Sequence, residues 1–259
     1  MIDAHCHLDF KEFDSDRGAL LENAERVGVR GFIVAGVDPK GWDRQARLEL
    51  DYPKIKVAYG LHPWAVARMD DAAVDRSLEL LEARLGFALG ETGLDRSRHC
   101  AKESYERQAR AFRAQLSLAI ERNIPIILHI VAAHGLALDI LHEVGVPAAG
   151  GLVHSYSGSA ELVSNYEDLG LHLSFSAAIC NLKSRKVREA VRMVSRERLL
   201  VETDCPDQVS AYRNAERNLP EWLTDVVREV SSIRQESFED VAEYTAQNTA
   251  RLFDLEDWL

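Results

Sequence analysis

Four cysteines in 259 residues, Cys6, Cys100, Cys180 and Cys205, with no C-x-x-C pair among them, exclude a zinc finger and a disulfide framework, and free thiols are expected. Long apolar runs are also missing. The longest uncharged stretch, "IPIILHIVAAHGLAL", is broken by His129 and His134 and falls short of the roughly 18 residues that a membrane helix needs, so no membrane contact is expected. The first residues carry Asp3, His5, His7 and Asp9 in place of a basic start and an apolar core, so no cleavable signal peptide is expected and the reading is cytoplasmic. Positive charge is scarce. A formal net charge of -11 argues against a broad basic groove for long duplex nucleic acid, and an anionic substrate would need a local positive centre. Linkers and low-complexity tracts are absent as well, which makes residues 1–259 one expected domain with no obligate protein partner.

What the chain does contain is a recurring alternation. Short apolar, β-branched runs fall at residues 2–7, 31–37, 56–60, 87–90, 124–129, 151–154, 171–176 and 199–203. Between them lie charged segments of helical spacing such as "DSDRGALLENAERVG", "DDAAVDRSLELLEARLG", "ESYERQARAFRAQLSLAIERN" and "KSRKVREAVRMVSRERL". Eight strand–helix units at this length predict an α/β fold of the (β/α)₈ TIM-barrel type. The competing doubly wound sheet lacks its marker: no G-x-G-x-x-G follows the first strand, where the chain reads "CHLDFKEF".

In "MIDAHCHLDF", His5 and His7 stand two apart, and residues two apart on a strand share a face and can converge on one point. A polar strand edge or a satisfied core pair would look the same, so the rest of the chain must decide. On the barrel scheme His5 and His7 close strand 1, Glu91 follows strand 4, His129 ends strand 5, His154 ends strand 6 and Asp204 ends strand 8. All six then point to one rim, where unpaired charge beside buried apolar strands is costly. Four imidazoles and two carboxylates suit two divalent metal ions, with Glu91 long enough to bridge them. Such donors favour Zn, Mn or Fe over Mg. With two cations against two carboxylates the site is formally positive by about two charges, the local centre that an acidic protein needs.

"DAHCHL", "GLHP", "GETGLD", "PIILH", "HSYSGS", "LLVETDCP" and the late "RNLP" followed by "TAQNTARLF" together resemble, in order, the motifs of the TatD-related metal-dependent hydrolases of the amidohydrolase superfamily. The resemblance runs from Ile2 to Phe253. It implies a barrel, a binuclear metal centre and hydrolysis, several members being deoxyribonucleases that remove nucleotides from DNA ends. It also implies one metal on His5, His7 and Asp204, another on His129 and His154, and Glu91 on both. Glu91 and Asp204 are the expected catalytic residues, Asp204 accepting the proton of a water activated between the cations.

Two positions depart from the family. Val131 stands in "HIVAAH" where the family usually has an arginine, which removes an expected phosphate contact, and Leu219 stands in "RNLP" where the family usually has glutamate. His62 of "YGLHPW" matches a family histidine and is read as a substrate contact, although His before Pro is also an ordinary turn residue. Arg217 and Asn218 are read as substrate-binding because the match covers them. Arg213 and the "LKSRK" cluster lie in rim segments, where a charge run is usually a solvated helix face. Tyr156 and Trp64 are candidates for stacking on a base. His134 is expected at a helix start near the site mouth, and His99, His142 and His172 as surface or packing residues. Cys205 reads as a small buried residue, with no Cys–His pair to activate it. The expected substrates are nucleic-acid ends or short oligonucleotides. The alternative is a small-molecule ester, lactone or amide, since a binuclear centre attacks carbonyls equally well.

Overall fold

The structure is a computed structural model that describes residues 1–84 and 86–259. Strands and helices alternate along the chain. The strands are β1 (Ile2–Cys6), β2 (Gly31–Ala35), β3 (Ile55–Ala58), β4 (Leu89–Asp95), β5 (Ile126–Val131), β6 (Gly151–Val153), β7 (Leu171–Phe175) and β8 (Leu199–Val201). The helices are α1 (Arg17–Arg26), α2 (Trp42–Asp51), α3 (Pro63–Arg68), α4 (Asp71–Arg84), α5 (Tyr105–Arg122), α6 (His134–Val144), α7 (Val163–Asp168), α8 (Arg185–Met193), α9 (Leu223–Arg234) and α10 (Phe238–Phe253). Among the described residues no helix is long and apolar enough to cross a membrane.

All strand pairs are parallel, in the orders β1-β2-β3 and β4-β5-β6-β7-β8. Two seams join these runs into a ring. At one, Tyr59 bridges Leu89 and Gly90 N–H donates to Tyr59 O at 2.9 Å. At the other, Asp204 N–H donates to His5 O at 3.0 Å and His7 N–H to Cys205 O at 2.8 Å. Eight parallel strands with helices outside, closed in sequence order, make a (β/α)₈ barrel.

Period-two alternation sorts the side chains. Ile2, Ala4, Ile33, Ala35, Ala58, Ile127, Leu152 and Leu200 pack together inside the ring, and Ala250, Phe253 and Trp258 close its floor. Leu128, Val153, Leu173 and Val201 face the helices. Two residues on from Ile127, Leu152 and Leu200 come His129, His154 and Glu202, so the same inward face turns polar towards the strand ends. In β1 and β4 the alternation is interrupted by register shifts, between Asp3 and Cys6 and between Leu89 and Thr92.

β4 corrects the sequence expectation, which ended that strand at Gly90 and placed Glu91 after it. The strand runs on to Asp95, in register with β5 from Thr92–Leu128 to Asp95–Val131, and Glu91 lies within it. Likewise β5 extends to Val131, so His129 sits two residues before its end. The glycines flanking Glu91 make this possible. Gly90 and Gly93 have φ of +157° and +138°, and a Cβ on Gly93 would stand 2.1 Å from His129 O.

Candidate metal centre

His5, His7, Glu91, His129, His154 and Asp204 meet at the C-terminal mouth of the barrel, and all six are buried. The first group of atoms is formed by β1, β4 and the segment leaving β8. His5 Nε2 lies 3.3 Å from His7 Nε2, 3.4 Å from Glu91 Oε2 and 3.5 Å from Asp204 Oδ1, while His7 Nε2 lies 3.5 Å from both carboxylate oxygens. His5, His7 and Asp204 thus bring three ligand atoms together, with Glu91 Oε2 beside both imidazoles. The second group lies across Glu91. His129 Nδ1 and His154 Nε2 are each 2.8 Å from Glu91 Oε1 and 2.9 Å from each other. Glu91 thus gives one oxygen to each group.

The outer nitrogens decide which atoms carry lone pairs into the centre. His7 Nδ1 lies 3.2 Å from Ala35 O, His129 Nε2 3.2 Å from Asp95 Oδ2, and His154 Nδ1 3.3 Å from Glu202 Oε1. Each acceptor favours N–H on that nitrogen, and in a neutral ring, the form that ligates a metal, His7 Nε2, His129 Nδ1 and His154 Nε2 would then carry the lone pairs that face the two groups. Among the described residues His5 Nδ1 is buried without a partner. Ring nitrogens held by a carbonyl or carboxylate on the far side, with bare nitrogens and carboxylate oxygens crowded on the near side, fit divalent cations.

Asp95, Glu202 and Gln208 were not singled out from the sequence. Asp95 Oδ2 also accepts Trp64 Nε1–H at 2.7 Å, and Glu202 Oε1 also accepts Ser155 N–H at 2.7 Å. Gln208 Nε2 donates to Asp204 Oδ2 at 2.5 Å and to Ser155 Oγ at 2.6 Å. The signal that could have found the two acids is the same period of two that found the others, since Glu202 precedes Asp204 by two and Asp95 follows Glu91 by four. Ala132, Ser155, Asp204 and Gln208, on segments leaving β5, β6 and β8, have φ between +41° and +55°. Side chains rarely adopt that region, and such strain concentrates at working sites.

His62 stands beside the centre, its Nε2 3.1 Å from Glu91 Oε1. Its Nδ1 accepts Trp64 N–H at 3.0 Å, so the proton is on Nε2 and the ring points a donor at Glu91. Burial pulls its pKa down to about 4, which keeps it neutral. The other two expected substrate contacts face elsewhere. Arg217 bonds Asp16 Oδ2 and Glu12 O and lies over the Phe13 ring, while Asn218 is buried and donates to Thr203 O at 2.7 Å and Gln208 O at 3.2 Å. They tie down the segment behind Asp204. Arg213 is held bidentately by Asp225. Tyr156 is buried with its hydroxyl on Ser159 O at 2.7 Å, whereas Trp64 is only partly buried at the rim. His134 begins α6 between Tyr166 and Ser157, and His172 is packed inside. All four cysteines are free and buried.

A parallel barrel carrying histidines and carboxylates at the C-terminal ends of its strands defines a metal-dependent hydrolase. The family model described as TatD related DNase matches residues 2–254, and the chain belongs to that family. It is 32% identical over 253 residues, 98% of each chain, to the metal-dependent hydrolase YabD of Bacillus subtilis. It is 28% identical over 260 residues, 98% of this chain and 99% of the relative, to the 3'-5' ssDNA/RNA exonuclease TatD of Salmonella typhimurium. The crystal structure of YjjV, a TatD homologue from Escherichia coli, superposes with a TM-score of 0.89 at 30% identity over 98% of each chain.

Proposed function

We propose that this protein is a phosphodiesterase that removes nucleotides from the ends of single-stranded nucleic acid or short oligonucleotides. The observation that carries this reading is the division of Glu91 between two pairs of imidazoles, Oε2 against His5 and His7, which Asp204 joins, and Oε1 against His129 and His154. Relatives of 27–29% identity carry the name 3'-5' ssDNA/RNA exonuclease, which supports nucleic acid as the substrate class.

The six residues would hold two divalent ions, which when bound supply Lewis acidity to a water molecule and neutralise charge developing on the phosphoryl oxygens. Glu91 fixes the spacing of the two groups. Asp204 presents Oδ1 inward, and Gln208 holds Oδ2 so that the carboxylate keeps one orientation as it takes the proton of the attacking water. His62, whose Nδ1 is taken by Trp64 N–H, presents Nε2 beside Glu91 Oε1 and would be the donor for the departing oxygen. Single-stranded DNA labelled at the 5' or the 3' end, incubated with manganese or magnesium, tests the reading. Wild type trims the strand and Asp204→Ala does not, and the label lost first gives the polarity.

One observation favours a second reading. Val131 is uncharged at the rim and supplies no anion contact, and Leu219 packs towards the core. Cleavage of a carboxylic ester or lactone with DNA left intact would assign the centre to carbonyl substrates.

A further inference from the structure

We propose that Trp64, with His99 beside it and Arg96 next along the rim, receives the base of the nucleotide adjoining the scissile bond, an inference that rests on the nuclease reading above. Trp64 follows His62 on the segment leaving β3. Its indole N–H is turned inward to Asp95 Oδ2 at 2.7 Å, and the same oxygen lies 3.2 Å from His129 Nε2. The ring therefore starts where the centre ends, with its centroid 5.1 Å from that of His62 and 6.3 Å from that of His129. On its other side the exposed imidazole of His99 lies 5.3 Å away, tilted by 42°, on the segment leaving β4. An indole anchored by its polar edge, partly open at the rim and extended by a second ring, offers a rigid stacking surface of the kind that accepts any base.

The nearby charge agrees. Position 131 lacks a cation, but Arg96 N–H donates to Val131 O at 3.0 Å, so Arg96 is the neighbour of Val131 across the β4–β5 seam. Arg96 is exposed and its guanidinium stands over the Tyr105 ring at 5.2 Å. Among the described residues no carboxylate lies within ion-pair distance of Arg96 or Arg98, whereas Arg213 and Arg217 are both engaged by acids. A strand end that offers aromatic rings beside a guanidinium group with no carboxylate partner among the described residues suits a base and its phosphate together. Tyr156, the other aromatic candidate, is buried and cannot serve.

The test compares kcat/KM for a single-stranded oligonucleotide with that for the same strand bearing tetrahydrofuran abasic residues at both ends, for wild type, Trp64→Ala and Trp64→Phe. Wild type should prefer the base-bearing strand by about tenfold, mainly through KM, within the range that stacking on one aromatic ring supplies. Trp64→Ala should bring the ratio near one. Trp64→Phe, which keeps a ring but loses the bond to Asp95, should retain most of it. Because the ratio is taken within each variant, general damage passed through Asp95 to His129 cancels. A wild-type ratio near one, a Trp64→Ala ratio equal to wild type, or a Trp64→Phe ratio as low as that of alanine overturns the subsite while leaving the nuclease reading intact. Failure of the metal-loaded wild type to cleave either strand overturns both.

Discussion

Glu202 Oε1 lies 3.3 Å from His154 Nδ1, and the opposite nitrogen of that ring is the one turned towards Glu91. Removing the acceptor frees the ring to rotate and to take the other tautomer, so Glu202→Ala should weaken binding at the His129–His154 group by roughly 10- to 100-fold. Glu202→Gln keeps a carbonyl acceptor and should lose less. Titration of the metal-free protein against a chromogenic chelator measures both, and binding at the His5–His7 group should stay within about twofold of wild type.

Among the described residues Glu91 is the one that the two groups of donors share. Glu91→Ala should therefore disturb both, lowering the metal content measured by elemental analysis and reducing kcat/KM by roughly 10³-fold, in line with the several kcal/mol that a bound cation gives to a transition state. Glu91→Asp, one methylene shorter, should keep fewer ions than wild type and remain far below its activity.

Gly93 is held at φ +138°, and a Cβ there would meet His129 O at 2.1 Å. Gly93→Ala combines a backbone conformation unsuited to side chains with a clash against a neighbouring strand, and should destabilise the fold by about 2 kcal/mol or more. The midpoint of urea unfolding reads this directly. Gly135, which has nothing within 4 Å of its Cβ position, is the matched control.

His172, on β7 and away from the centre, has its pKa pushed down to about 4, first by burial and then by Arg198. The folded protein therefore keeps the ring neutral where the unfolded chain, titrating near 6.5, binds a proton. Stability is full above pH 6.5 and is lost as pH falls towards 4, by about 2 kcal/mol from this residue between pH 7 and pH 5. His172→Leu should remove that part of the slope. Urea midpoints of wild type and variant at the two pH values give the difference.

The inward convergence at residues 129, 154 and 204 was legible in the sequence because strands alternate with a period of two and the apolar partners at 127, 152 and 200 mark the inner face. The extent of β4 was not, since Gly90 and Gly93 read as strand breakers until their close approach to β5 is known. For Asp95 and Glu202 the sequence offered only their even spacing from Glu91 and Asp204; what distinguishes them from other acids is the imidazole nitrogen that each accepts across the barrel. Arg217 illustrates the same limit. Its motif suggested a substrate contact, but its guanidinium folds back on Asp16, 201 residues earlier in the chain, and nothing local announces that partner. Trp64 and Tyr156 look alike as aromatic residues beside motif histidines, and burial alone separates them.

Two groups of donors joined by Glu91 make one centre. Crystals soaked in a manganese salt, with anomalous scattering recorded from the bound ions, test it most directly. Two peaks are predicted, one within coordination distance of His5 Nε2, His7 Nε2, Asp204 Oδ1 and Glu91 Oε2, and the other of His129 Nδ1, His154 Nε2 and Glu91 Oε1. A single peak, or a second ion bound away from Glu91, would contradict it.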